Sequence, residues 1–123
     1  MRDGAGPIGA VLEALEARER SLRERIAERR EALDAAARSP DPAGDAGDVA
    51  FGHIRAEIEH DLIEQSLKEL AEIVAVRGRI AAGTYGECLE CGEPIDPARL
   101  EINPLARRCA ACQTLVERQG AAL

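Results

Sequence analysis

Two stretches of nearly equal length carry apolar residues on a four-three rhythm, and they dictate most of what this chain can become. In the first, Ile8, Leu12, Leu15, Leu22, Ile26, Leu33 and Ala36 keep the beat, and Glu19 and Arg29 interrupt it. That spacing lines one face of a helix and reads as a heptad seam with polar faults. Pro7 sits where proline is favoured, in a first turn, and Pro40 cannot continue a helix. A helix is therefore expected over about 7–39. In the second stretch, Phe51, Ile54, Ile58 and Leu62 form one stripe. Ile63, Leu67, Leu70, Val74 and Ile80 continue it after a one-residue change of phase at 62–63. Gly83 is a natural terminator, so this helix is expected over 49–82. Gly78 near its end costs about 1 kcal/mol relative to alanine.

Between the stretches lies "DPAGDAGDVA", rich in glycine, proline and aspartate. Two long helices joined by so short a segment fold back antiparallel. At a rise of 1.5 Å per residue each arm is on the order of 50 Å long. The expected fold is mainly α: a long antiparallel coiled-coil hairpin with its tip at 40–48, then a small four-cysteine end. Composition agrees, since aromatics are 2% and the chain has one phenylalanine, one tyrosine and no tryptophan. A compact core usually leans on such side chains; this chain must bury aliphatic seams instead. Domains are expected at 1–82 and 83–123, with the seam closed within one chain and the protein a monomer. A dimerising coiled coil is the alternative that periodicity leaves open.

Charge narrows the function. The net charge is −7 with no basic tail, so DNA or RNA phosphates would be repelled. No apolar run approaches the ~20 residues of a membrane span. The start, "MRDGAGPIGAVLEALEARER", lacks a basic-then-apolar signal pattern, and a cytoplasmic protein is expected. No Ser/His/Asp set, phosphate loop or zinc-protease motif occurs, so no enzyme is expected. His53 and His60 are seven apart on one helix face and read as solvated residues.

All four cysteines lie in "CLECGEPIDPARLEINPLARRCAACQ", as C-x2-C-x17-C-x2-C: Cys88, Cys91, Cys109 and Cys112. Two residues between cysteines let both sulfurs of a knuckle face one ion, and two knuckles complete the tetrahedron of a structural zinc. With all four positions taken by sulfur, no site is left for a catalytic water. Gly92 permits the left-handed turn a knuckle needs. The second pair runs into "CAACQTLVERQ", a short helix whose N-terminus favours thiolates. Arg107 and Arg108 stand beside it to offset a four-thiolate centre. A thioredoxin-like pair would need strands this chain lacks, and disulfides an oxidising compartment for which there is no signal.

"GTYGECLECGEPIDPARLEINPLARRCAACQ", 83–113, resembles the DksA/TraR family of RNA polymerase-binding regulators, in its G-x-Y-G-x-C-x-x-C-G opening, its "RLE…P" middle and its C-x-x-C close. A second likeness is independent. Family members carry D-x-x-D-x-A at a coiled-coil tip, and "DAGDVA" supplies Asp45, Asp48 and Ala50. The resemblance implies a protein that does not bind DNA. It implies a coiled coil inserted into the secondary channel of RNA polymerase, with the acidic tip near the active site and the zinc end on the channel rim. The chain also departs from the family. Basic residues that hold guanosine tetraphosphate in some members correspond here to Glu72, Asn103 and Gln113. A polyphosphate would find poor charge complementarity there.

Asp48 has a structural reading as well. It immediately precedes the expected second helix, where aspartate is a preferred N-cap worth about 1 kcal/mol. Asp45 has less structural reason to be there. Two carboxylates alone make a poor magnesium site, so any metal they touch should belong to the partner. The competing functional class is a zinc-ribbon coiled-coil adaptor with some other protein partner.

Overall fold

The computed structural model describes residues 7–38 and 46–121. Four helices occur among them: α1 (Pro7–Arg38), α2 (Ala46–Ala82), α3 (Pro97–Ile102) and α4 (Ala110–Ala121). The described residues contain no strand, and Glu87 and Pro94 form an isolated antiparallel bridge. This is the expected antiparallel coiled-coil hairpin followed by a four-cysteine end and a short C-terminal helix. By its contacts the chain divides into two units, Glu13–Ile73 and Met1–Leu12 with Val74–Leu123.

In the unit Glu13–Ile73 two cross-helix ion pairs set the direction of packing. Arg18 donates to Glu69 through Nε at 2.7 Å and Nη2 at 2.9 Å. Arg29 Nη1 donates to Glu59 at 2.8 Å. Advancing along α1 means retreating along α2, so the helices are antiparallel. The Arg18 bond holds the Glu69 carboxyl below its usual range. Leu15, Leu22 and Ile26 of α1 are buried, as are Ile63, Ser66 and Ile73 of α2. Glu59 and Leu70 are half-buried, so 59, 63, 66, 70 and 73 keep a strict four-three beat. Arg29, a fault in the first seam, thus meets Glu59, a fault in the second. Both side chains keep close to a third of their exposure, so the pair adds little net stability. Its effect is on register, because a slipped seam would set a guanidinium against aliphatic neighbours.

The second stripe differs from its sequence reading. Phe51, Ile54, Ile58, Leu67 and Val74 all face outward, with Phe51 62% exposed. The true seam of α2 runs through polar Glu59 and Ser66, which a search for apolar periodicity passes over. Tertiary pairing decides which stripe is covered, and α1 covers the one whose faults match its own. The helix also starts at Ala46 rather than 49. Asp48 is then its third residue, where a carboxylate favours the helix dipole, and not the residue ahead of it.

Seam and stripe can be told apart by stability. Leu22 is 1% exposed, and Leu22→Ala should cost about 3 kcal/mol through lost burial and a cavity. Leu67→Ala, on the outer face, should stay within about 0.5 kcal/mol of wild type. Urea melts followed at 222 nm measure both; equal losses would mean that the seam is misassigned.

The second unit begins where α2 ends. Gly83 takes φ +80°. Its N–H bonds to the carbonyl of Ile80 at 3.2 Å, and the Thr84 N–H reaches Arg79 at 2.9 Å. This is a Schellman cap, and the left-handed residue it requires is the glycine expected to stop the helix. Val76, Cys88, Ile95 and Ala106 are buried in this unit.

Candidate metal centre

Each knuckle is shaped by backbone. After Cys88 the chain turns back so that the Gly92 N–H donates to the Cys88 carbonyl at 3.0 Å, and the Cys88 N–H to Glu93 at 2.8 Å. Gly92 holds φ +78°, a conformation that side chains resist. The second pair lies at the start of α4. The Cys109 carbonyl accepts from the Gln113 N–H at 2.9 Å, so Cys109 precedes the helix and Cys112 sits in its first turn. The knuckles are laced together: the Leu89 N–H donates to the Arg107 carbonyl at 2.9 Å, and Arg108 Nε to Glu90 at 3.1 Å. Arg108, expected to offset the thiolates, thus has a carboxylate partner between the knuckles.

The segment between the pairs is tied down by groups that sequence reading left unassigned. Asp96 caps α3, accepting from the Ala98 N–H at 2.9 Å, with Pro97 next to it. That Asp-Pro pair is itself a helix-start signal and could have disclosed α3. Tyr85 donates its hydroxyl to the Pro104 carbonyl at 3.0 Å, and Arg99 Nε reaches the Arg108 carbonyl at 3.2 Å. These bonds join the opening, middle and close of the motif into one structure. Burial pushes the Tyr85 hydroxyl above its ordinary pKa.

The four sulfurs come together within 4.8 Å of one another. Cys91 and Cys109 Sγ are 3.9 Å apart. Sulfur at ~2.3 Å from zinc gives a tetrahedron edge of about 3.8 Å, so the spacing fits that ion. It is far beyond a disulfide, and all four cysteines are free. Ionisation tells the same story. Hydrogen bonds from the Cys91 and Cys109 backbone bring Cys88 down to about 6. Cys112 is pushed up to about 12 by hydrogen bonding with the Cys109 and Cys88 sulfurs. Cys88 thus gives up its proton readily, whereas Cys112 keeps one to share with its neighbours' sulfurs. A dication at the centre would take the place of such protons and hold all four as thiolates. The donor set, spacing and charge requirement therefore fit one structural zinc.

Comparison with known proteins places this centre. Residues 83–118 match the prokaryotic dksA/traR C4-type zinc finger. The whole chain superposes on transcription factor DksA2 from Pseudomonas aeruginosa with a TM-score of 0.80 and 27% identity, covering 98% of this chain and 94% of that one. The chain belongs to the DksA/TraR family. Among DksA relatives, the RNA polymerase-binding transcription factor DksA of Caulobacter vibrioides is 30% identical over 94 residues, 76% of this chain and 66% of that protein. An uncharacterized protein of Aquifex aeolicus is 39% identical over 64 residues, 52% of this chain and 44% of its own length. The chain thus spans less than half of the Aquifex protein and just under two thirds of the Caulobacter one.

The tip residues stand differently from the cysteines. Asp45 lies outside the described residues, as does the side chain of Asp48. Ala50 is exposed in the early part of α2. His53 and His60 are exposed as well. Of the positions that depart from the family's basic set, Asn103 Oδ1 accepts from the Leu105 N–H at 3.2 Å, and Gln113 Nε2 donates to Glu117 at 3.0 Å. Glu72 is half-buried on α2. No helix among the described residues is long and apolar enough to cross a membrane.

Proposed function

We propose that this protein regulates transcription by binding RNA polymerase directly. In this reading, residues 1–82 form a probe that enters the secondary channel, and 83–123 form a finger that docks at its rim. Cys88, Cys91, Cys109 and Cys112 are the zinc ligands. Asp45, Asp48 and Ala50 are the working tip, set near the active site to modulate initiation. The protein acts as a cytoplasmic monomer, without catalysis and without touching DNA. The observation that carries the reading is the pairing of a C4 finger with an antiparallel coiled coil in one chain, aligned along nearly its whole length with DksA2. The likeness to the RNA polymerase-binding transcription factor of Caulobacter supports it. So does the net charge of −7, which disfavours a polyanionic partner.

A direct experiment has three arms. Core RNA polymerase should retain the purified, zinc-loaded chain on sedimentation. Promoter DNA alone should not shift with it at physiological salt. Guanosine tetraphosphate should add little to its effect on a polymerase whose other alarmone site is removed, since Glu72, Asn103 and Gln113 offer no cation. Failure to bind core polymerase would favour the adaptor reading, and strong alarmone synergy dependent on this chain would defeat the charge argument.

A further inference from the structure

The change of phase at 62–63 has a structural meaning. Below it, the apolar residues Phe51, Ile54 and Ile58 lie on the outer flank of α2; above it, Ile63, Leu70 and Ile73 serve the seam against α1 while Leu67 and Val74 face outward. The outward stretch is no scatter of single residues. Phe51, Ile54 and Ile58, each more than half exposed, line a groove of about 200 Å³ together with Arg55. The Arg55 guanidinium stands 5.4 Å from the centre of the Phe51 ring. The same flank continues, because 51, 55, 58, 62, 65 and 69 recur at four-three spacing on one side of a helix. Leu62 and Gln65 border a second cavity of about 140 Å³, walled across the pair by Arg18, Arg25 and Arg29. An apolar trough therefore runs into a cationic one along a single edge of this unit.

The cations are not all spent. Arg18 is held by Glu69 and Arg29 by Glu59. Arg25 makes no hydrogen bond among the described residues and acts on the Glu69 carboxylate only through its charge, and Arg55 stands over the Phe51 ring. Among the described residues, Arg55 faces no carboxylate and Arg25 has only a share in Glu69, which Arg18 already holds; beside an apolar groove, these two guanidinium groups specify what would complete them. A second copy of this chain does not: pairing the groove with itself about a two-fold axis sets Arg55 near Arg55. A partner with aliphatic side chains and carboxylates matches both halves at once.

We infer that the flank of α2 from Phe51 to Leu62, with Arg25 of α1, is a docking groove for a partner polypeptide segment that presents aliphatic side chains next to acidic ones. The naming of that partner rests on the reading of this chain as a polymerase-binding protein; the chemistry of the groove does not. The groove holds affinity, whereas the tip aspartates act on the reaction.

The test uses the full zinc-loaded chain and core RNA polymerase. Phe51→Gln and Ile58→Gln are at exposed helical positions and should leave melting unchanged. Each should weaken polymerase affinity by about tenfold, a common loss for truncating an interface anchor. Arg25→Glu should weaken it comparably and flatten its dependence on salt. Leu67→Gln, apolar and outward but on the opposite side of α2, should bind as wild type. Normal affinity in all three groove variants would overturn the inference while wild-type binding still upheld the proposed function. Loss of a dimer in the Phe51 or Ile58 variant, seen by analytical ultracentrifugation, would overturn it in favour of a second copy. If wild type itself failed to bind, the partner would be wrong at both levels.

Discussion

Cys88→Ser should abolish zinc binding and unfold the finger while sparing most of the helical signal. The finger has little else to hold it. Between the end of α2 and the end of α4, Cys88, Ile95 and Ala106 are the buried apolar residues recorded, and α3 buries none. One isoleucine and one alanine cannot offset the ordering entropy of some 40 residues at about 1–2 kcal/mol each for backbone alone. Metal binding must then supply the folding free energy of this segment, as in other small zinc modules. The coiled coil does not depend on it, since Leu15, Leu22, Ile26 and Ile63 form their own seam. Helices α1 and α2 hold 69 residues against 18 in α3 and α4. Ellipticity at 222 nm should therefore fall by no more than roughly a fifth if the arms keep their cooperative seam. Tyr85 gives a specific probe, being the one tyrosine in a chain without tryptophan. Its hydrogen bond to Pro104 exists only in the folded finger, so its near-ultraviolet signal should collapse in the variant and in chelated wild type. Carefully reduced wild type should hold one zinc per chain. Less than half an equivalent of metal, or an unchanged Tyr85 signal after chelation, would show that the finger folds by other means.

What could be read from the sequence follows the range of the interactions. The zinc site was fully legible, because ligand spacing is local and four sulfurs have few other uses. Helix ends marked by Pro7 and Gly83 were legible for the same reason: each is a backbone constraint carried by one residue. The seam of α1 was legible because its polar faults, Glu19 and Arg29, are few. The seam of α2 was not. Its true beat includes Glu59 and Ser66, and its most apolar residues, Phe51, Ile54 and Ile58, lie outside it. Periodicity shows that a helix has an apolar stripe but not which partner covers it. Only the register set by Arg18–Glu69 and Arg29–Glu59 decides that, and such pairs join residues more than 29 positions apart. The start of α2 was missed by three residues because Gly47 and Asp48 look like loop. A carboxylate in a first turn can be a helix feature as readily as a turn feature. Asp96, Tyr85 and Arg99 went unassigned because their partners are backbone groups, an N–H for Asp96 and carbonyls for Tyr85 and Arg99, which have no letter in a sequence.

The largest functional effect is expected at the tip. Asp45→Asn and Asp48→Asn should each abolish the effect on open-complex lifetime while leaving polymerase affinity nearly intact. The choice of asparagine separates charge from structure. Asparagine caps a helix about as well as aspartate, so residue 45 can be changed safely whether or not it caps. Asp48 is third in α2, and at such a first-turn position the loss of a negative charge typically costs only about 0.3–1 kcal/mol. Both variants should melt within a few degrees of wild type, in line with about 4–8 °C per kcal/mol for a domain of this size. Near a polymerase active site, the loss of one negative charge acts in a confined, poorly screened space, where charge terms far exceed those on an open surface. Binding should change little if, as proposed, the flank of α2 and the finger carry most of the contact. Asp48→Ala is a poorer probe, as it changes side-chain shape and hydrogen bonding together with charge. Three measurements settle the matter: thermal melting, affinity by competition, and open-complex lifetime, for wild type and both asparagine variants. If the variants melt and bind normally and still shift open-complex lifetime as wild type does, the two carboxylates have no part in the effect. The working end must then be the Phe51 flank or the finger, and variants in each would show which.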